Sequence, residues 1–214
     1  MISALSKDPT ITNIDHSVAA LADGYAASHR VYETCGIVAT TATGAWLCGR
    51  LVAVGALPSR AVPLALALGI LGADLVSGVV HWLFDTWGGV DTPIVGKLAI
   101  RAFRQHHLDA RAILTHDFIE TNGHNFALAL SLTTLGLWIV PSRDAAAGAQ
   151  FLGLALLSMA VFVSLTSQIH KWAHMEHPPR IVAALQRARI FLPPRHHQLH
   201  HDGDHLRNYC ITAG

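Results

Sequence analysis

Charge is what this sequence has least of: Asp, Glu, Lys and Arg together make up 14% of its 214 residues, against roughly a quarter in soluble domains. That shortage, beside 51% hydrophobic residues, excludes an ordinary water-soluble domain and points to an integral membrane protein. Neither sign of charge is in excess. The net charge is +1 with histidines neutral, so there is no basic footprint for nucleic acid. Cysteine is scarce as well: Cys35, Cys48 and Cys210 stand apart with no CxxC pair, which excludes a disulfide scaffold and a thiolate metal site. Residues 1–30 lack an apolar run, so they read as a mobile or interfacial arm rather than a signal peptide or a helix. What the chain has in surplus is histidine, fifteen against fourteen acids.

Four apolar stretches predict an all-α membrane protein with four transmembrane helices. They cover about 31–57, 61–84, 125–140 and 145–169, and the arm of 1–30 precedes one membrane domain of 31–214. Gly, Ala and Thr are frequent in the first stretch and suit close helix contacts. Arg50 is placed to snorkel to an interface. The third stretch is short for a span of roughly 20 residues, so its flanks are expected to extend it. Asp74 stands in the middle of the second, where an ionisable group is expensive. It is either a hydrogen-bonded structural acid or a participant in chemistry.

Four spans gather the amino-terminal arm, the 85–125 segment and the carboxy-terminal segment on one side. Only the turns near Pro58 and Pro141 face the other, and neither contains a histidine. Twelve of the fifteen Lys and Arg residues share the histidine side; Arg50, Arg60 and Arg143 do not. The positive-inside tendency makes the histidine-rich cap cytoplasmic. Within the polar 85–125 segment, Asp91-Thr92-Pro93 is a helix-start signal.

On that side the histidines recur at metal-ligand spacing. In a helix, His196 and His200 stack one turn apart, as do His197 and His201; His170 and His174 make a third such pair, and His81 lies four residues before Asp85. His106, His107 and His116 fall in the 85–125 segment. These ten histidines, in four separate segments on one membrane face, predict a shared transition-metal site. His16 and His29 are expected to be solvated, and His124, His177 and His205 to be supporting or surface residues. So many imidazoles overfill a single zinc site of about four ligands, whereas a dinuclear iron centre uses that number. Such a centre reduces O2 to an oxidant that removes hydrogen from an unactivated C–H bond, a step beyond any side chain. The substrate is then a lipid chain entering laterally from the bilayer, held in a tunnel between apolar helices.

The ordered blocks carry a resemblance. Asp74-Leu75-Val76-Ser77-Gly78-Val79-Val80-His81-Trp82, Asp85-Thr86-Trp87-Gly88, Pro93-Ile94-Val95-Gly96-Lys97, Phe103-Arg104-Gln105-His106-His107, Thr115-His116-Asp117-Phe118-Ile119-Glu120-Thr121-Asn122-Gly123, Gln168-Ile169-His170-Lys171-Trp172-Ala173-His174 and Leu192-Pro193-Pro194-Arg195-His196-His197-Gln198-Leu199-His200-His201 resemble the plasmanylethanolamine desaturases. They are also similar to the plant plastid desaturase that acts on phosphatidylglycerol. The resemblance covers 74–214, with nothing contributed by 1–60. It implies O2-dependent desaturation of the alkyl chain next to the ether oxygen of a plasmanyl phospholipid. Electrons would come from a small redox protein such as a cytochrome b5 or a ferredoxin. It implies two iron ions held by His81, His106, His107, His170, His174, His197, His200 and His201, joined by His116 and His196. Asp85, Asp117 and Asn122 would hold imidazole tautomers or waters. His124 departs from the polar residue expected there, and family chains continue beyond the match to Gly214, so a shortened cap is expected.

Two other functions share these features. An acyl-lipid desaturase or hydroxylase would use the same di-iron ligands, which define neither the substrate nor the fate of the radical. A histidine-rich metal transporter or sensor would instead place ligands along the membrane path, whereas these spans are nearly free of histidine.

Overall fold

The computed structural model describes residues 25–55, 58, 60–141, 145–202 and 207–214. The first 24 residues of the expected arm, His16 among them, lie outside the described residues, as do His205 and most of both short turns. All regular structure among the described residues is helical.

Four long helices form the body: α1 (Ala27–Val54), α2 (Ala61–Thr86), and, after a segment carrying α3 (Arg101–Leu108), α4 (Phe118–Ile139) and α5 (Ala147–Ala173). Two short helices follow, α6 (Arg180–Arg187) and α7 (Pro194–His201). Helices α1, α2 and α5 are long and apolar enough to cross a membrane. The third apolar stretch is extended by its amino-terminal flank to 22 residues as α4, about 33 Å of helix. Helix α1 begins at Ala27, inside the expected arm, because residues 27–30 hold no Gly or Pro to stop it. The Asp91-Thr92-Pro93 signal is followed by a π-turn, Gly96–Ile100, that runs straight into α3.

The packing order is not the chain order. Helix α1 packs on α4, α4 on α5 and α5 on α2, with no comparable seam between α1 and α2. Small residues make these seams. A side chain on Gly36 would meet the backbone of Ala127, one on Gly69 would meet Ser158 and the Ala155 carbonyl, and one on Gly123 would strike Glu33. Thr43 and Thr133 hydroxyls meet at 2.7 Å, and Thr40 donates to the Phe126 carbonyl at 2.5 Å. Large apolar side chains point the other way: Val38, Val52, Leu71 and Leu75 are all more than 60% exposed. Small residues inside and large ones outside is the arrangement expected where lipid, not water, surrounds the bundle.

Two ionisable residues singled out by sequence prove to be ties. Arg50 does not snorkel freely; its Nη1 donates to the carbonyls of Leu137 at 3.0 Å and Val140 at 2.9 Å, capping the end of α4. Asp74 accepts the backbone N–H groups of Thr212 at 3.1 Å and Ala213 at 2.9 Å, the structural alternative of its two readings.

Candidate metal centre

The end of the bundle that carries His81 and His170 is closed by α3 and α7. Histidines from four helices converge there into two adjacent groups whose ligand atoms lie within 4.8 Å of one another: His106, His170, His174, His197 and His201 in one, and His81, Asp85, His107 and His200 in the other.

Helical geometry decides which residues can share a group. His170 and His174, and likewise His197 and His201, are four apart and share a face, so each pair enters one group. Adjacent residues diverge by about 100°, so His106 turns into the first group and its neighbour His107 into the second. His200 separates from His201 in the same way. The pairing of His196 with His200 therefore does not hold: His200 joins His81, while His196 stands outside both groups.

The first group is a convergence of Nε2 atoms. That of His197 lies 2.7 Å from His170, 2.9 Å from His174 and 2.9 Å from His201; His106 and His201 are 3.1 Å apart, and His170 and His174 3.2 Å. A neutral imidazole has one N–H, so three such contacts at one nitrogen cannot all be hydrogen bonds. A cation can satisfy them together, since metal–nitrogen bonds of about 2.0–2.1 Å at right angles place ligand atoms about 3 Å apart. Burial, and then the neighbouring imidazoles, hold His106 and His197 well below the ordinary histidine range; burial holds His174 down to about 4. The rings are thus kept neutral, the form that ligates.

The second group adds a carboxylate. Asp85 Oδ2 is 3.2 Å from His81 Nε2 and 3.7 Å from His200 Nε2, its Oδ1 is 3.7 Å from His107 Nε2, and the His107 and His200 Nε2 atoms are 3.2 Å apart. Both Asp85 oxygens are buried and accept no hydrogen bond, a costly state for a carboxylate unless a cation is bound beside it. His81 Nδ1 meets the Tyr209 carbonyl at 3.0 Å and His200 Nδ1 the Arg207 carbonyl at 2.7 Å. A carbonyl only accepts, so both Nδ1 atoms carry the proton and both Nε2 lone pairs face the carboxylate. The donor set of both groups fits transition-metal ions.

The remaining site candidates lie apart from these groups. His116 lines a cavity of about 60 Å³ with Phe103, His106, Glu120, His124 and His170, and its carbonyl accepts from Lys171. Asp117 is the amino-terminal cap of α4, accepting from Ile119 at 2.9 Å and Glu120 at 3.1 Å and pairing with Arg30 at 2.6 Å. Asn122 is buried between α4 and α5, donating to Phe118 and Gln168. His29 caps α1 by accepting from Ala26 N–H, and His177 is exposed. The Tyr209 and Arg207 carbonyls have no sequence signal, because any residue supplies a carbonyl.

A lipid desaturase domain matches residues 70–214. Over 194 residues the chain is 41% identical to "Plasmanylethanolamine desaturase" of Myxococcus xanthus, covering 91% of this chain and 68% of that protein. It is 43% identical to "Plasmanylethanolamine desaturase 1" of Mus musculus over 72% of this chain and 58% of the relative. "Fatty acid desaturase 4, chloroplastic" of Arabidopsis thaliana is 34% identical over 68% of this chain and 43% of its own length. The chain thus spans less than two thirds of the mouse and plant relatives. The bacterial match reaches well into the first 60 residues, which corrects the expectation that they contribute nothing; the helix α1 seam gives them a structural place. No solved structure matches.

Proposed function

The chain belongs to the lipid desaturase family, and from that premise we propose that it converts the alkyl ether chain of a plasmanyl phospholipid to a vinyl ether, using O2 and two iron ions. One iron would be held by His106, His170, His174, His197 and His201, the other by His81, Asp85, His107 and His200. When bound, the pair supplies the O2 reduction that gives an oxidant equal to an unactivated C–H bond. The reaction balances as loss of two hydrogens from adjacent carbons. O2, those two hydrogens, two further electrons and two protons leave as two waters. The electrons require a donor, a small cytochrome b5- or ferredoxin-like protein docking on the histidine face.

The observation that carries this reading is the place of the two groups at the end of the helices. The bond to be desaturated lies beside the ether oxygen, a few atoms from the glycerol, and so rests near the membrane surface. The cavity against His106 and His170 offers His116, Glu120 and His124 to the glycerol oxygens and Phe103 to the chain. A second, smaller cavity shares Phe103, Ser167 and Ile211 with the first and is lined by Val76 and Val80 of α2, Leu128 of α4 and Val163 of α5. In this reading the alkyl chain enters from lipid by parting the helices around these two small cavities, which brings its reacting carbons to the histidines.

In this arrangement α4 also crosses the membrane, as the third of four spans, parallel to α1 and antiparallel to α5, and the Lys and Arg distribution favours a cytoplasmic histidine face. Asp117 and Asn122 act by fixing the start of α4, and His116 and His196 sit outside the ligand sets. A second reading, an acyl-lipid desaturase, has the plant relative's name in its favour; a hydroxylase would use the same ligands.

Expression in cells that contain alkyl ether lipids, followed by lipid mass spectrometry, decides among them. The expected product is a plasmalogen lighter than its precursor by two hydrogens. Added oxygen identifies a hydroxylase, a new acyl double bond the acyl reading, and unchanged lipids refute all three.

A further inference from the structure

Asp74 sits seven residues before His81, too far from either histidine group to bind metal there, yet on the same face of α2. Asp74, Ser77, Gly78 and His81 are spaced three, one and three apart and line a single stripe. The carboxy-terminal segment lies along that stripe in the reverse direction, residue by residue. Ala213 and Thr212 donate to Asp74 Oδ1 at 2.9 and 3.1 Å, Ile211 donates to Ser77 Oγ at 3.2 Å, and the Tyr209 carbonyl accepts from His81 Nδ1 at 3.0 Å. At Gly78 a Cβ would stand 2.7 Å from Cys210 Sγ, so the missing side chain is what lets the segment lie flat. The lengths agree: seven helical residues rise about 10 Å, and four extended residues cover about 13 Å.

The segment then turns at Asn208, at φ 57°, a conformation Asn tolerates. Beyond the turn the Arg207 carbonyl accepts from His200 Nδ1 at 2.7 Å. One backbone segment thus orients both His81 and His200. Both belong to the group that contains Asp85; in the other group the Nε2 atoms of His106, His170, His174, His197 and His201 face one another.

We propose that Asp74 is a positioning residue for the mixed histidine–carboxylate metal pocket alone. By holding two backbone N–H groups in apolar surroundings it pins the segment whose carbonyls set the tautomer and direction of His81 and His200. This rests on the reading of the two groups as metal pockets. Without the acceptor, the Thr212 and Ala213 N–H groups have no partner, and the segment, still held at Thr212 by Leu192 and Thr166 and at Gly214 by Arg189, loosens from α2 along residues 207–211. The His81 and His200 rings then lose their fixed Nδ1 partners, a loss that typically weakens metal binding by about 10–100-fold. The five-histidine pocket keeps its ligands.

The test uses the full chain in detergent with Cys35→Ser and Cys48→Ser, leaving Cys210 as the single thiol. Two quantities are read: the rate of maleimide labelling at Cys210, and iron per chain after reconstitution with ferrous iron. Asp74→Leu is expected to label faster than its parent and to hold about half the iron, with the residual ferric EPR signal that of an isolated ion. Asp74→Asn keeps a carbonyl oxygen to accept both N–H groups and should match the parent in iron; because burial and the Asp74 carboxylate push the Cys210 thiol up and the thiolate is what reacts, Asp74→Asn is also the baseline for labelling, which Asp74→Leu should exceed. Ser77→Ala, which removes one tie, should fall between and serves if Asp74→Leu does not fold. Slow labelling in Asp74→Leu, rapid labelling with both irons retained, or equal loss from both pockets each overturns the proposal while leaving the functional reading intact. A parent chain that takes up no iron overturns both.

Discussion

The two pockets differ in ligand number, and that difference predicts an asymmetric response to removing one ligand from each. His174→Ala leaves four imidazoles, His106, His170, His197 and His201; His200→Ala leaves only His81, His107 and Asp85. Four-ligand zinc sites bind with apparent energies of roughly 10–16 kcal/mol, or about 3 kcal/mol per ligand, so one ligand is worth about 100-fold in affinity. The first variant is therefore reduced to a number of ligands that still suffices for a closed site, and the second falls below it. His200 is the more damaging loss on a second count, because it also ends the Arg207 contact. The assay is iron per chain after dialysis against chelators of increasing strength. His174→Ala should retain both irons into weak chelators and lose one first at intermediate strength. His200→Ala should fall to about one iron per chain at the weakest. Neither should make vinyl ether at the parental rate. Loss in the reverse order, or simultaneous loss of both irons in both variants, would refute the division into pockets of five and four.

Three further outcomes follow from the packing and the titration of the site. Gly123→Ala would drive a Cβ into the side chain and Cα of Glu33, whereas Gly49→Ala meets nothing within 4 Å. The first should cost about 1–3 kcal/mol, lowering Tm by roughly 2–4 °C per kcal/mol, and the second should leave Tm unchanged or higher; equal melting curves would contradict the α1–α4 seam. Arg50→Met removes two charge-assisted bonds to the end of α4, each worth roughly 1.5–3 kcal/mol; thermal unfolding in detergent should show the loss, and Arg50→Lys should recover part of it. In the metal-free chain, burial depresses His174 from 6.5 to about 4 and lowers His106 and His197 as well. As pH falls through 6.5 the unfolded chain takes up protons that the native chain refuses, so stability is lost between 6.5 and about 4 for His174, a trend that denaturant titration across that interval measures. Stability rising on acidification would refute it.

Hydropathy placed the long helices to within a few residues at most ends, because a bilayer demands an apolar run whatever its neighbours do. The exception, α4, was short by its amino-terminal turns. Residues 118–124 include Glu120, Asn122 and His124 and read as polar loop, yet Asp117 caps them and α5 buries them. The histidine spacing likewise anticipated that the pairs come together, since residues four apart share a helical face in any context.

What the sequence by itself determined is therefore local: the apolar lengths, the 170–174 and 197–201 pairs, the 81–85 pair, and one end of the bundle for all of them. Tertiary structure alone decided the partition. His106 and His107 look equivalent in the chain, as do His196 and His197, and only the angle at which α3 and α7 cross the bundle end sends His106 and His197 to one pocket and His107 to the other, and leaves His196 outside. Nor could spacing reveal that Tyr209 and Arg207 orient His81 and His200. The first bond is made by a backbone carbonyl 128 residues from His81 and the second by one seven residues from His200, and the position of both depends on the register in which residues 209–213 lie against Asp74, Ser77 and Gly78.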